Sequence, residues 1–298
     1  MTQALGRRAR MPFILLTMTC FLLLSPALQA GAQRGLSLCY RTIIPSVFPF
    51  AVLSSCLVAA GDGGREFPLF RCLFALPSSA VFPFLIGLLC GFPLGAKAAV
   101  DGYRRGLYSK SEAERILCFA NNTGVSFVIG GVCISLFGDA RKGIYLFFLQ
   151  TALALLVAFV SGRFANRGED VAPSPLPPPL KSLSLSACIA DATHATLTVC
   201  GFVVFFSCLC SMLGTFLGGI PYVALCALLE VGGACHAAAG VSGGIAFAAF
   251  AICFSGVSVH LQTAALTEGT DLSLAPYFVS KALCGALALL FTLLIGIL

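Results

Sequence analysis

Of the 298 residues, 58% are hydrophobic and only 10% are charged, with a mean hydropathy of +0.98. A soluble domain needs roughly a quarter of its residues charged to keep its surface hydrated, so a soluble globular fold is excluded. The net charge of +6 is scattered over short polar segments, without the clustered basic and aromatic residues that nucleic acid requires.

The chain opens with Arg7, Arg8 and Arg10 ahead of an apolar run, Met11–Leu28. Basic residues before a span place the N-terminus on the cytoplasmic side. The run is long and is followed by a poor small-residue cleavage pattern, Pro26-Ala27-Leu28-Gln29-Ala30, so it reads as a retained helix rather than a secretory signal. Gly143–Ser161, Leu197–Leu217 and Tyr277–Leu298 are further runs of bilayer length. Hydrocarbon offers backbone amides no partners, so such runs form helices. The length accommodates about eight or nine spans of roughly 20 residues and no sizeable soluble domain.

Gly87, Gly91 and Gly95 are spaced four apart, with Pro93 among them. Small residues at this spacing let helices approach closely. Pro93 also removes an amide donor and obstructs the preceding turn, which predicts a broken or re-entrant segment. Lys97 follows. It either marks a functional path or snorkels to the interface beside Asp101, Arg104 and Arg105.

Segment 101–115 carries Arg104, Arg105, Lys110 and Arg115 and is a second cytoplasmic candidate. Ser109-Lys-Ser-Glu112 and Ser111-Glu-Ala-Glu114 have capping-box spacing and predict a helix from about residue 110. That helix is interrupted at Asn121-Asn122-Thr123-Gly124. There the two asparagines either cap the turn or offer hydrogen bonds to a solute.

Segment 163–181 runs through Pro173-Ser-Pro-Leu-Pro-Pro-Pro179 and reads as an extended spacer. It divides the chain into a first membrane repeat, 1–162, and a second, 182–298. Weak duplication crosses it. Pro49-Phe50 before Ser55-Cys56-Leu57 parallels Gly201-Phe202 before Ser207-Cys208-Leu209. Gly91-Phe-Pro-Leu-Gly-Ala-Lys97 parallels Gly256-Val-Ser-Val-His-Leu-Gln262. Paired Gly- or Pro-interrupted apolar segments in two halves point to a transporter-like binding region.

In the second half, Glu230 lies between an apolar stretch and Gly232-Gly233. A lone carboxylate there is protonated, paired or wet. It is read as a proton or cation site, or as the end of a span. His260 and Gln262 read as polar lining residues. His260 has no second histidine at ligand spacing, so no metal is implied. The fifteen cysteines fall mostly singly inside apolar runs, as small hydrophobes do. No phosphate loop, GxSxG, HExxH or carboxylate pair is present, so neither an enzyme nor a cofactor is read.

Ile44-Pro-Ser-Val-Phe-Pro-Phe50, Gly91–Lys97, Ser111–Arg115 leading to Phe119–Gly124, Gly201–Phe206, Leu229–Gly232 and Ser255–Gln262 together resemble the sporulation integral membrane protein YlbJ family in order and spacing. Phe92 stands where tyrosine is expected, and Val257 where a second glycine often stands. The resemblance implies a role in spore formation and the spore cortex. It also implies kinship with nucleoside-recognition, or Gate, domain proteins, and through them two repeats with re-entrant hairpins.

The expected fold is therefore an all-α polytopic helix bundle in the bacterial cell membrane, with two pseudo-symmetric repeats and broken helices. Its expected function is that of a transporter-like permease in sporulation. The solute or ion path comprises Gly91, Pro93, Gly95, Lys97, Asn121, Asn122, Glu230, Gly256, His260 and Gln262. Expected partners are the lipid bilayer, a small solute with a coupling ion, and other sporulation membrane proteins. The alternative is a non-transporting scaffold for spore-envelope assembly, in which the glycine motifs only pack helices.

Overall fold

The computed structural model describes residues 2–60, 68–164 and 184–296, and among them no strand occurs. Most of the Pro-rich spacer, from residue 165 onward, lies outside the described residues. The chain begins with α1 (Thr2–Leu23) and α2 (Ser25–Leu38), which meet at a bend of 92°. Pro26 sits in the first turn of α2, where its missing amide leaves no helical bond unmade. A π-helical turn, Cys39–Ile43, leads into α3 (Ile44–Ala60).

After α4 (Pro68–Phe74) come α5 (Val81–Cys90), α6 (Leu94–Arg104) and α7 (Lys110–Ala120). The capping box forms as expected. Ser109 Oγ accepts from the Glu112 amide, and Glu112 accepts from the Ser109 amide at 2.8 Å. Glu114 is used differently, accepting from the Ser273 amide at 2.7 Å. Past the break at 121–124, a π-helix (Ser126–Ile134) runs into α8 (Ser135–Phe137) and then α9 (Ala140–Arg163).

The second half comprises α10 (Leu185–Leu213), α11 (Gly219–Leu229), α12 (Val231–Ala238), α13 (Gly244–Phe254), α14 (Gly256–Thr267) and α15 (Ala275–Ile295). Helix α10 packs against both α2 and α3, and α15 packs against α13 and α7. Gly31 and Gly35 make the first contact possible, since a Cβ on Gly31 would stand 2.6 Å from Cys208 Cα.

Among the described residues, α9, α10, the joined α13–α14 and α15 are long and apolar enough to cross a membrane; the bent α1–α2 pair makes a fifth. That is fewer than the eight or nine spans expected from length. Glycine, proline and asparagine cut the remaining apolar sequence into half-length helices such as Ser78–Cys90, Ser126–Phe137 and Gly219–Leu229. Large apolar side chains on α15, including Leu283, Leu290 and Leu294, are exposed as lipid-facing residues should be. By contrast, 72% of the α13–α14 window is buried, against 33% in α9 and α15. The chain is a multi-pass membrane protein with α13–α14 at its centre.

Candidate functional site

Four interruptions of the helical backbone converge at the middle of this bundle. The first is the turn Gly91-Phe92-Pro93. Gly91 has φ 88°, and α6 folds back along α5, so that Gly87 and Gly95 face each other. A Cβ on either glycine would also run into the Ala120 carbonyl oxygen, at 1.7 Å from Gly87 and 2.0 Å from Gly95. The hairpin is thus clasped onto the C-terminal end of α7, and only glycine permits that approach.

The second interruption, Asn121–Gly124, crosses the first. A Cβ on Gly91 would lie 2.8 Å from the Gly124 amide nitrogen. Glu230 and Ser255-Gly256 form the third and fourth, and they cross in turn. Gly256 has φ 66°, and its Cβ would lie 3.0 Å from the Leu229 carbonyl oxygen. Both glycine motifs are therefore breaks, as the sequence predicts, but of different kinds. The one at Gly91 is a fold-back, whereas α13 and α14 continue as a single 24-residue span.

Gly91, Phe92, Thr123, Gly124, Ser126 and Glu230 line one cavity, whose remaining walls are apolar side chains such as Leu38 of α2, Val47 of α3, Leu89 of α5 and Val203 of α10. The Glu230 carboxylate is 4% exposed. It caps α12, accepting from the Gly232 amide at 2.8 Å and the Gly233 amide at 2.5 Å. A helix N-terminus carries partial positive charge, so this is where a buried carboxylate is best tolerated.

Thr123 joins the cavity to a deeper polar cluster. Its amide donates to Gln150 Oε1 and its carbonyl accepts from Gln150 Nε2, both at 2.9 Å, while its hydroxyl donates to the Ile252 carbonyl at 3.0 Å. One glutamine side chain on α9 thereby satisfies the backbone that the break leaves open. Asn121 Nδ2 donates to Thr263 Oγ1 and to the Tyr277 hydroxyl, each at 2.9 Å, and His260 Nδ1 lies 3.1 Å from that hydroxyl. Lys281 reaches in from α15 and donates to the Asn121 carbonyl and to Asn122 Oδ1, the latter at 3.4 Å. Asn121 Oδ1, Ser255 Oγ, His260 Nε2 and Gln262 Oε1 are buried without a protein partner.

The expected site residues therefore separate. Gly91 and Glu230 line the cavity, Asn121, Asn122 and His260 form the cluster behind it, and Gly256 abuts Glu230. Gly95 and Pro93 shape the hairpin, Pro93 immediately preceding α6. Gln262 Nε2 donates to Ser258 Oγ at 3.3 Å, one turn away. Lys97 lies elsewhere: its ammonium contacts Asp101 at 2.7 Å and Asp191 of α10 at 2.8 Å, and Asp191 also accepts from Ser55. Sequence reasoning passed over Lys281, Gln150, Thr123 and Tyr277. The signal for Lys281 was a single charge inside the apolar run Tyr277–Leu298, which hydrocarbon tolerates only at a cost.

No protein-family profile and no solved structure matches the chain. Among characterised proteins, it is similar to the sporulation integral membrane protein YlbJ of Bacillus subtilis, at 24% identity over 89% of this chain and 76% of that protein. That similarity, which spans most of both chains, agrees with the helical architecture and with the resemblance carried by the ordered motifs at its breaks.

Proposed function

We propose that the chain acts in sporulation as a transporter-like permease, moving a small solute through the crossing of its four breaks. The observation carrying this reading is the cavity itself. Interrupted backbone and a buried carboxylate face a common space inside an apolar bundle. In a membrane, non-helical backbone persists where it is buried in protein or lines a wet cavity, and carriers commonly place their substrate at such breaks. The sporulation role rests on the relative's name. Glu230 is the residue best placed to carry a coupling proton, because among the described residues it is the one carboxylate on the cavity wall.

Cys90 lines the cavity and supplies a native probe. With the other cysteines replaced, a membrane-impermeant thiol reagent is expected to label Cys90 from one side of the membrane, and a Phe92→Cys variant in the same background likewise. If both stay unreactive from both sides while a loop cysteine labels, the site is dry and the permease reading fails.

A further inference from the structure

Three carbonyls at the C-terminal end of α7 and its cap lie against side-chain donors from the break and from α15. The Ser280 hydroxyl lies 3.3 Å from the Cys118 oxygen, Asn122 Nδ2 donates to the Phe119 oxygen at 2.6 Å, and the Lys281 ammonium takes the Asn121 oxygen. Because Asn122 uses its amide nitrogen on Phe119, its Oδ1 is left pointing at Lys281. Asn121 Oδ1, buried in the same break, has no protein partner.

The result is a set of neutral oxygens at the C-terminal end of a helix, where the backbone carries partial negative charge. Neutral carbonyl oxygens without a carboxylate can replace the hydration shell of a singly charged cation, as in potassium-selective filters. Lys281 is only 3% exposed, and no carboxylate among the described residues forms an ion pair with it. A buried ammonium needs compensation from somewhere, and here these oxygens provide it.

We propose that the Asn121–Asn122 break is a monovalent-cation site whose cation is built in. The Lys281 ammonium occupies the position that a free sodium, potassium or ammonium ion would take, so binding at the neighbouring cavity requires no free cation. The proposal deepens the permease reading and rests on it for its role in transport, but the site itself is tested without transport.

Thermal unfolding of the purified full-length protein in detergent, followed by helical circular dichroism, would be compared in sodium, potassium, ammonium and choline chloride at equal ionic strength. The wild-type midpoint is expected to be the same in all four. Lys281→Ala is expected to gain a few degrees, saturably, in at least one of the three small cations over choline, as a vacated site refilled by mass action should. A folded Lys281→Ala whose midpoint ignores all four salts overturns the proposal, as does a wild type that responds to the small cations as the variant does.

Should Lys281→Ala not fold, Asn122→Asp and Asn122→Ala decide. Beside a charged ammonium the aspartate variant must be the more stable of the two, and an aspartate variant less stable than the alanine variant overturns the built-in cation. The thiol test separates the two claims. Unreactive Cys90 with a cation-responsive Lys281→Ala removes the permease and keeps the site, and the reverse outcome removes the site alone.

Discussion

Gly91 and Gly106 both have φ in the left-handed region, at 88° and 74°. A Cβ at Gly106 would meet nothing within 4 Å, whereas at Gly91 it would stand 2.8 Å from the Gly124 nitrogen. Gly106→Ala therefore carries only the backbone penalty, about 1–2 kcal/mol. Gly91→Ala adds the separation of two crossed breaks and should cost several kcal/mol, since packed interiors resist extra volume. Thermal midpoints of the two variants check this, and equal losses would mean that the crossing is loose. The sequence marked Gly91 and Pro93 because their backbone chemistry is local. It did not mark Gln150 or Tyr277, whose importance comes from which break they reach across 27 and 156 residues. Lys97 shows the opposite failure. Its charge and its neighbour Asp101 were visible, but its second partner, Asp191, lies on a distant helix, so a half-buried ion network was grouped with the central site.

At the scale of elements, the loop between α14 and α15 is held to the first half by side chains of α6 and α7. Tyr103 donates to Asp271 at 2.5 Å, Lys110 pairs with Asp271 at 3.3 Å, and Arg104 donates to the Leu266 and Glu268 carbonyls. The Tyr103 hydrogen bond, supported by Lys110, holds the Asp271 carboxyl below its ordinary value. A depressed carboxylate contributes stability above its unfolded pKa, near 3.9, and loses it as pH falls through the lower folded value. Proteolysis of the 268–274 loop should therefore rise below about pH 4, and Asp271→Asn should abolish that dependence. Unchanged cleavage across the range would show that the loop is held otherwise. The capping box and the break at 121–124 were legible because both depend on neighbours within four residues. The span count was not, because whether two half-helices fold back or run on depends on what they cross.

Across the whole molecule, α2 lies on α10 through Gly31 and Gly35, with Arg34 donating to Ser211 at 2.6 Å. Gly31→Leu would force these helices apart, since even a Cβ there meets the Cys208 Cα at 2.6 Å. Residues of both elements or their neighbours, Leu38 and Val203 among them, wall the central cavity. The expected result is a protein that inserts but in which Cys90 labels from a wider range of reagent sizes. A wild-type labelling pattern would place the α2–α10 contact outside the control of the cavity. The predominant burial of α13–α14 has a mechanical consequence of its own. A bilayer that thickens or thins acts on the helices that touch its acyl chains, here α9, α10 and α15, by tilting them. The enclosed helix has little hydrophobic length to match and bears His260, Thr263 and the Gly256 break, so the polar cluster is shielded from the dimensions of the membrane that surrounds it.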